Sequence, residues 1–368
     1  MAINFNLNNI TQVNWNGSSL TQVNWNGVKV WPEVTPVAVN YFYIGAYSGE
    51  NDLKFKFEDV LETPQVVNLL VSTDKTNWTT FQTNTFYTVA SGSKIYFKAG
   101  VGGNGGTCDD TATVSRLHFT YEPYDPETTA LAIVGGNITT LLNENGLTDM
   151  RQSGQTHNFA FLFRNTGNDG TNFRQFYLAN DFEIPCTIVQ PYAFWQTFRS
   201  ALAPIDTVNG LYNHFPDLSN MEYVGPYSFG TTWCYESGQH FEDDTVVDLS
   251  SLKGSTDGTN IAEDGRYLEV GSNQGVFRNW LRYEYTNYSV KVGPLVPQQY
   301  MYDGAFRDSS ITSMEVRFTD WGYFGTNNWL TSVPQVGTFK CPTALGTDST
   351  ITRGNANCPS GWTVINTD

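Results

Sequence analysis

The sequence predicts a mainly β protein in three parts: an N-terminal β-meander at residues 1–35, a β-sandwich at 36–125 and a short, degenerate β-solenoid at 126–368 that ends in a cap. Three observations carry that expectation. Aromatic residues make up 15% of the 368 and charged residues only 15%, with 33 Gly, a turn-rich profile in which helix formers do not dominate. Short apolar runs alternate at period two between Gly, Asn and Asp turns. No stretch sustains the 3.6-residue apolar period of an amphipathic helix, which an α+β chain, the alternative class, would need.

The first element is a phrase said twice. Within ITQVNWNGSSLTQVNWNGVKVW, Ile10 to Trp31, apolar Val13 and Trp15, then Val23 and Trp25, then Val28 and Val30 alternate with polar residues. Asn16-Gly17 and Asn26-Gly27 separate the runs, and Asn-Gly suits the type I′ turn because both positions need φ > 0. A meander this small buries too little to be stable alone. Its apolar face is therefore expected to meet the body of the chain, sister copies or a larger assembly, with Val13, Trp15, Val23, Trp25, Val28 and Trp31 as the attachment or oligomerisation residues. An ordinary edge hairpin of the sandwich is the alternative.

WPEVTPVAV, Trp31 to Val39, is a connector stiffened by Pro. Six runs follow at regular spacing: NYFYIGAY, LKFKFEDV, QVVNLLVSTD, NWTTFQTN, SKIYFKAGV and SRLHFTYEPY. Short strands between turn residues read as a β-sandwich. Beyond residue 126 the rhythm changes. IVQPYAFWQTF (Ile188 to Phe198) and YVGPYSFGTTW (Tyr223 to Trp233) align over Pro191-Tyr192-Ala193-Phe194 and Pro226-Tyr227-Ser228-Phe229, and QYMYDGAFRDS (Gln299 to Ser309) is a third block. Recurrence of a short block marks a stacked array, here with few and unequal units. The last segment, ending in GWTVIN, is expected to be an ordered, extended cap.

The net charge of −16 argues against nucleic acid and anionic membranes as partners, since phosphate neutralisation dominates binding to the former. No run of about 18 apolar residues exists to insert into a bilayer. MAINFNLNNI lacks the basic and apolar regions of a signal peptide, so synthesis in a cytoplasm without general secretion is expected. The five cysteines, Cys108, Cys186, Cys234, Cys341 and Cys358, are odd in number and lack CxxC spacing, which excludes a zinc site or disulfide framework. Cys341 and Cys358 could pair under oxidising conditions; buried thiols are the other state.

The search for chemistry finds little. Gly100, Gly102 and Gly105 match G-x-G-x-x-G, but the residues that follow return to strand, so a Gly-rich hairpin loop is expected in place of a dinucleotide site. His118, His157, His214 and His240 are scattered, and no nucleophile elbow is present. Glu242-Asp243-Asp244, Asp257 to Asn260 and Glu263-Asp264 lack EF-hand spacing, leaving solvated loops or, less simply, calcium ligands. Glycosidase carboxylates about 5–10 Å apart could come from HFEDDTVVD (His240 to Asp248) or GTCDD (Gly106 to Asp110), but turn residues bound these acidic runs. No catalytic residue, cofactor or resident metal is expected. Trp195, Trp233, Trp280, Trp321 and Trp329 fall in loop-like or repeat-edge settings and are the candidate ligand-binding rings, since a flat ring packs on the C–H face of a sugar.

Ala305-Phe306, Ile311-Thr312-Ser313, Trp321, Thr326 to Leu330, Gly337-Thr338-Phe339, Pro342 and Pro359 to Val364 resemble the C-terminal pattern of BspA-like leucine-rich repeat surface proteins of gut bacteria and their phages. Ser309 or Ser310 stands where that family usually carries Cys or Asn. The resemblance extends over residues 65–368, and the WNG…WNGVKVW opening is similar to virion surface proteins of crAss-like tailed phages. It implies a leucine-rich-repeat-like third domain and a virion structural protein, a fibre or decoration subunit displayed on the particle. The implied partners are other virion proteins, sister copies (a trimer by preference), and a glycan or protein of the host surface. A bacterial cell-surface adhesin of the same repeat family, or a glycan depolymerase, are the alternatives.

Overall fold

The computed structural model describes the strand backbones 14–15, 18–19, 23–25 and 28–31, then residues 41–47, 51–59, 68–100, 117–121, 131–153, 158–164, 176–233, 238–255, 275–298, 300–322, 324–347 and 358–368. The protein is mainly β, with 3-10 turns but no α-helix among the described residues. It divides into two compact units, Met1–Val39 and Asn40–Asp368.

In the first unit β1 (Asn14–Trp15) pairs antiparallel with β2 (Ser18–Ser19), and β3 (Val23–Trp25) with β4 (Val28–Trp31). Trp15 faces Ser18 and Trp25 faces Val28, so each Asn-Gly pair stands alone between two strands. The two hairpins form separate sheets, not the continuous meander expected. Each copy of the phrase carries its own turn and so closes on itself. Val13 lies outside the described residues, and of Trp15, Val23, Trp25, Val28 and Trp31 only the backbone is described.

The second unit begins with β5 (Phe42–Ala46), β6 (Leu53–Asp59), β7 (Leu69–Ser72), β8 (Thr79–Thr80), β9 (Tyr87–Val89), β10 (Lys94–Ala99) and β11 (Leu117–Tyr121). The six expected runs each supply a strand, and β9 is added to them. β12 (Ala132–Gly136) and β13 (Phe176–Leu178) then join the same region: one sheet runs β13-β12-β5-β10-β7-β8 and the other β11-β6-β9. Period-two patterning explains the facing. Phe55 and Phe57 of β6 point inward to meet Phe97 at ring distances of 6.1 and 5.6 Å, and Phe119 at 5.2 and 5.5 Å. One expectation is corrected here. The border at 125/126 is crossed by the hydrogen-bonded pairing of β12 with β5, and the Phe119 amide donates to the Leu162 carbonyl, so one core runs through it. The expected Gly-rich hairpin loop lies outside the described residues beyond Gly100.

The remainder is a stack. β14 (Ile188–Val189), β15 (Tyr223–Val224) and β17 (Gly254–Ser255) pair in parallel, as do β16 (Thr245–Leu249), β18 (Tyr288–Val292), β19 (Ile311–Val316), β20 (Gly337–Cys341) and β21 (Trp362–Asn366). In both sheets the strands stand in ascending chain order, with β15 beside β17 and β16 beside β18. Ribbons of consecutive turns run at 158–164, 190–200, 225–233, 275–284, 300–308 and 324–332. Their amides alternate in use. Within a ribbon Ala193, Trp195, Thr197 and Arg199 donate three residues back, while Tyr192, Phe194 and Gln196 donate to Pro226, Ser228 and Gly230 of the next ribbon.

Every fourth ribbon residue takes positive φ: Tyr192, Gln196 and Ser200 at 57, 55 and 54°, then Tyr300, Gly304 and Asp308 at 63, 61 and 58°. Such a backbone costs about 1–2 kcal/mol per non-Gly residue. Hydrogen bonds between ribbons and buried ring columns offset it. Phe159, Phe194, Phe229, Phe277 and Tyr302 form one column with centroid steps of 5.2, 5.1, 5.7 and 5.2 Å. Phe163, Phe198 and Trp233 form a second, with steps of 5.6 and 5.7 Å. The aligned PYAF and PYSF blocks are therefore adjacent turns, Tyr192 on Tyr227 and Phe194 on Phe229. Cys186, Cys341 and Cys358 are buried free thiols, and burial pushes the Cys341 thiol up to about 11.

Candidate ligand-contact surface

The five candidate tryptophans part company. Trp280 and Trp329 are fully buried and Trp233 is 5% exposed, so these three cannot offer a face to a ligand. Their positions read as loop edges in sequence because the ribbons are built of turns, yet every ribbon has an inner face. Trp233 and Trp280 sit 5.6 Å apart in the middle of the ring columns. Among the described residues their indole N–H groups find no oxygen or nitrogen partner, and aromatic rings pack around them. Trp321 is half-buried against Phe318 and Phe339, at 5.7 and 6.1 Å.

Trp195 is the candidate that stays at the surface. It is half-buried on the outer side of the second ribbon, with Phe161 of the previous ribbon at 5.0 Å, Tyr192 at 5.4 Å and Tyr227 of the next at 6.3 Å. Tyr192 and Tyr227 stack at 5.0 Å and 18°. Burial pushes both phenols up, with Arg278 opposing the shift at Tyr227. Phe161, Tyr192 and Tyr227 all take positive φ, at 62, 57 and 53°; Phe161 is buried, and Tyr192 and Tyr227 stay half-exposed. Gly275 clears its end: a Cβ there would lie 3.1 Å from a Tyr227 ring carbon, and its φ of 69° suits Gly. Tyr300 and Phe324 repeat the motif two ribbons on, stacked at 5.7 Å and 5° and both exposed.

The polar groups singled out in sequence are mostly structural. His118 Nε2 lies 2.7 Å from the Arg164 carbonyl. His240 is buried with Glu284, which accepts from the His240 amide at 3.0 Å and from the Thr286 amide and hydroxyl at 3.1 and 2.6 Å, with His240 Nδ1 2.9 Å from its other oxygen. Burial alone would raise the Glu284 carboxyl; its bonds with His240 and Thr286 prevail and hold it below the ordinary value. Four contacts from its own fold hold this carboxylate in place. Glu242, Asp243 and Asp244 are exposed, and Asn287 donates to Asp243 and Asp244 at 3.2 and 3.0 Å. Ser309, at the position of the departure from Cys, is buried, donates to the Phe306 carbonyl at 2.6 Å and lies 2.9 Å from the Tyr288 hydroxyl. His157, Asp257 to Asn260 and Glu263-Asp264 lie outside the described residues.

Sequence reasoning missed Tyr192 and Tyr227 as surface residues, although the aligned PYAF and PYSF blocks place them at equivalent positions. It also missed that Tyr43 of β5, buried at 2% exposure, and the flanking, half-buried Tyr41 and Tyr47 fall on one face of the sheet. The signal was present in NYFYIGAY, where Tyr41, Tyr43 and Tyr47 alternate with Phe42, Ile44 and Ala46. Compared with family models, curated proteins and solved structures, the chain matches none.

Proposed function

We propose that the chain is a structural and recognition subunit of a bacteriophage virion, a fibre or decoration protein that binds a glycan or protein of the host surface without catalysis. On this reading the paired hairpins of Met1–Val39 are the hook that seats the subunit on the particle or ties sister copies into a trimer. The two facing sheets are a β-sandwich, and the in-order parallel strands with their turn ribbons are a leucine-rich-repeat-like solenoid. The observation that carries the reading is the outward row of Tyr192, Trp195 and Tyr227, held in place by backbone hydrogen bonds between ribbons. Rigid aromatic surface lowers the ordering cost of binding, and copies on one particle multiply a weak contact.

The test is immunogold labelling of purified phage particles with antibody against the chain, together with binding of the fluorescent full-length protein to host cells. Gold on the particle and saturable cell binding are expected. Unlabelled particles would overturn the virion assignment, and absence of cell binding by the assembled protein would overturn the recognition role.

A further inference from the structure

On the outer face of the six-stranded sheet the register places Lys94, Gly45, Ile133 and Tyr177 in one row straight across four strands. One step along β5, Tyr43 stands opposite Gly135. Tyr43, Lys94, Ile133 and Tyr177 form one side of a groove of 290 Å³, and the Tyr43 ring lies over Gly135, where a side chain would displace it. The Tyr43 hydroxyl donates to Asp181 Oδ1 at 2.6 Å across Gly135, where a Cβ would lie 2.6 Å from that same oxygen. Lys94 Nζ lies 3.8 Å from the Tyr43 ring centre.

The opposite wall is the segment Gly210 to His214, and it is anchored. Asn213 is fully buried, accepts from the Leu178 amide at 2.8 Å, and donates to the Ala203 and His240 carbonyls at 2.8 and 3.1 Å. The His214 amide donates to the Leu178 carbonyl at 3.0 Å. This holds the half-buried rings of Tyr212 and His214 together, 4.8 Å apart, at the rim. Among the described residues the Tyr212 hydroxyl, the His214 ring nitrogens, the Asn180 amide and the Lys94 ammonium make no hydrogen bond or ion pair. Three polar groups with no such partner, on Tyr212, His214 and Asn180, and the Lys94 ammonium over the Tyr43 ring thus line a groove with an apolar floor of Ile133, Leu178 and Leu211. Nothing in the core requires them there.

We propose that this groove binds one neutral pyranose residue, plain or N-acetylated, of a surface polysaccharide. A sugar ring presents C–H faces to aromatic rings and a fringe of hydroxyls to mixed donors and acceptors, which is the set of groups assembled here. The volume lies near the lower end of ligand pockets, about 300 Å³, which suits a single ring in a chain that continues into solvent. The charge of the surroundings selects against acidic sugars. Asp181, Asp206 and Glu242 act on Tyr43, Tyr177 and His214, against the single lysine in the lining. The proposal rests on reading the chain as a recognition subunit, and it adds a site separate from the Trp195 row.

Saturation-transfer NMR on the full-length protein tests it, with glucose, galactose, their N-acetylated amines, glucuronic acid and short oligomers of each as probes. Transfer to ring C–H protons of a neutral sugar is expected, with affinity about tenfold weaker in Tyr212→Ala, the order of one lost ring contact. His214→Ala is a second variant on the same wall, and thermal melts matching the parent establish that both are folded. No transfer from any neutral sugar, or transfer undiminished in both folded variants, would overturn the proposal. So would a preference for glucuronic acid. Cell binding by the parent that survives Tyr212→Ala while sugar transfer is absent would sink the groove and leave the recognition role standing. Sugar transfer by a protein that neither labels particles nor binds cells would do the reverse.

Discussion

The two-sheet region and the ribbon stack fill one core with the same residue type by opposite means. In the two-sheet region the aromatic contacts come from strands that alternate at period two, so Phe55 and Phe57 face inward by strand geometry alone. In the stack the rings of a column come from separate turns, 35, 35, 48 and 25 residues apart along Phe159, Phe194, Phe229, Phe277 and Tyr302. The strand rule is local and tolerates any loop length. The column rule is non-local, and the unequal steps show that insertions are absorbed between ribbons while the ring register is kept. A sheet can thus be read one strand at a time, whereas a stack has to be read against its neighbours.

The sharpest way to break that comparison is to remove one ring from each region. Trp280→Ala and Phe97→Ala each delete a fully buried ring, at an expected cost of about 3–5 kcal/mol. Because the core is continuous across both regions, urea unfolding followed by tryptophan fluorescence and by far-ultraviolet circular dichroism should remain one coincident transition in either variant. A split transition in Phe97→Ala, with the tryptophan signal unmoved, would mean that the regions fold separately.

Glu284, at the end of the fourth ribbon, ties it through His240 to the segment leading into β16, and its removal is expected to cost nearly as much. Glu284→Ala strands the His240 and Thr286 donors in the interior, a loss of about 3 kcal/mol by analogy with broken buried pairs. The pH dependence has a definite sign. Because the folded carboxyl lies below its ordinary value, its contribution is complete above the unfolded value near 4.5 and is lost as pH falls through the folded one. Glu284→Gln should therefore flatten the acid limb of a stability–pH curve. An acid limb identical to the parent's would show that the carboxylate does not carry that contribution.

A contact between ribbons tests the stack at its backbone. Gly225 begins the third ribbon where a Cβ would lie 2.6 Å from Pro191 Cδ of the second. Gly225→Ala should cost about 1–3 kcal/mol by overpacking, read as a lowered melting temperature. An unchanged melt would mean that adjacent ribbons can part without loss, contrary to the column geometry.

How far these features were legible follows from the same contrast. The strand runs from NYFYIGAY to SRLHFTYEPY were readable because alternation is self-contained, and the PYAF and PYSF blocks were readable because their offset of 35 residues recurs unbroken. Tyr302 was recognised as part of a third block but could not be aligned with Phe277, since the intervening steps differ. The fate of Trp233, Trp280 and Trp329 was illegible for a related reason: turn residues signal surface in a globular loop, but a ribbon of turns buries adjacent pairs of side chains, as at Ala193-Phe194 and Thr197-Phe198. Tyr212 and His214 carried no pattern at all, because Asn213 and its partners bring them to the sheet from more than 30 residues away in sequence.

The smallest expected effect on stability is also the one that separates the two faces of a ribbon. Trp195 and Trp233 were indistinguishable as candidates, both following an aligned block. Trp233→Ala opens a cavity in a ring column and should cost about 3–5 kcal/mol. Trp195→Ala removes a half-buried ring touching Phe161, Tyr192 and Tyr227 at the surface, and about 1–2 kcal/mol is expected from the lost aromatic contacts. Binding should invert the order. At a temperature where both variants remain folded, Trp195→Ala should lose most of the cell binding of the parent, and Trp233→Ala should keep it. Trp195→Ala binding cells as well as the parent would leave the outer row as covering for the ribbon and nothing more.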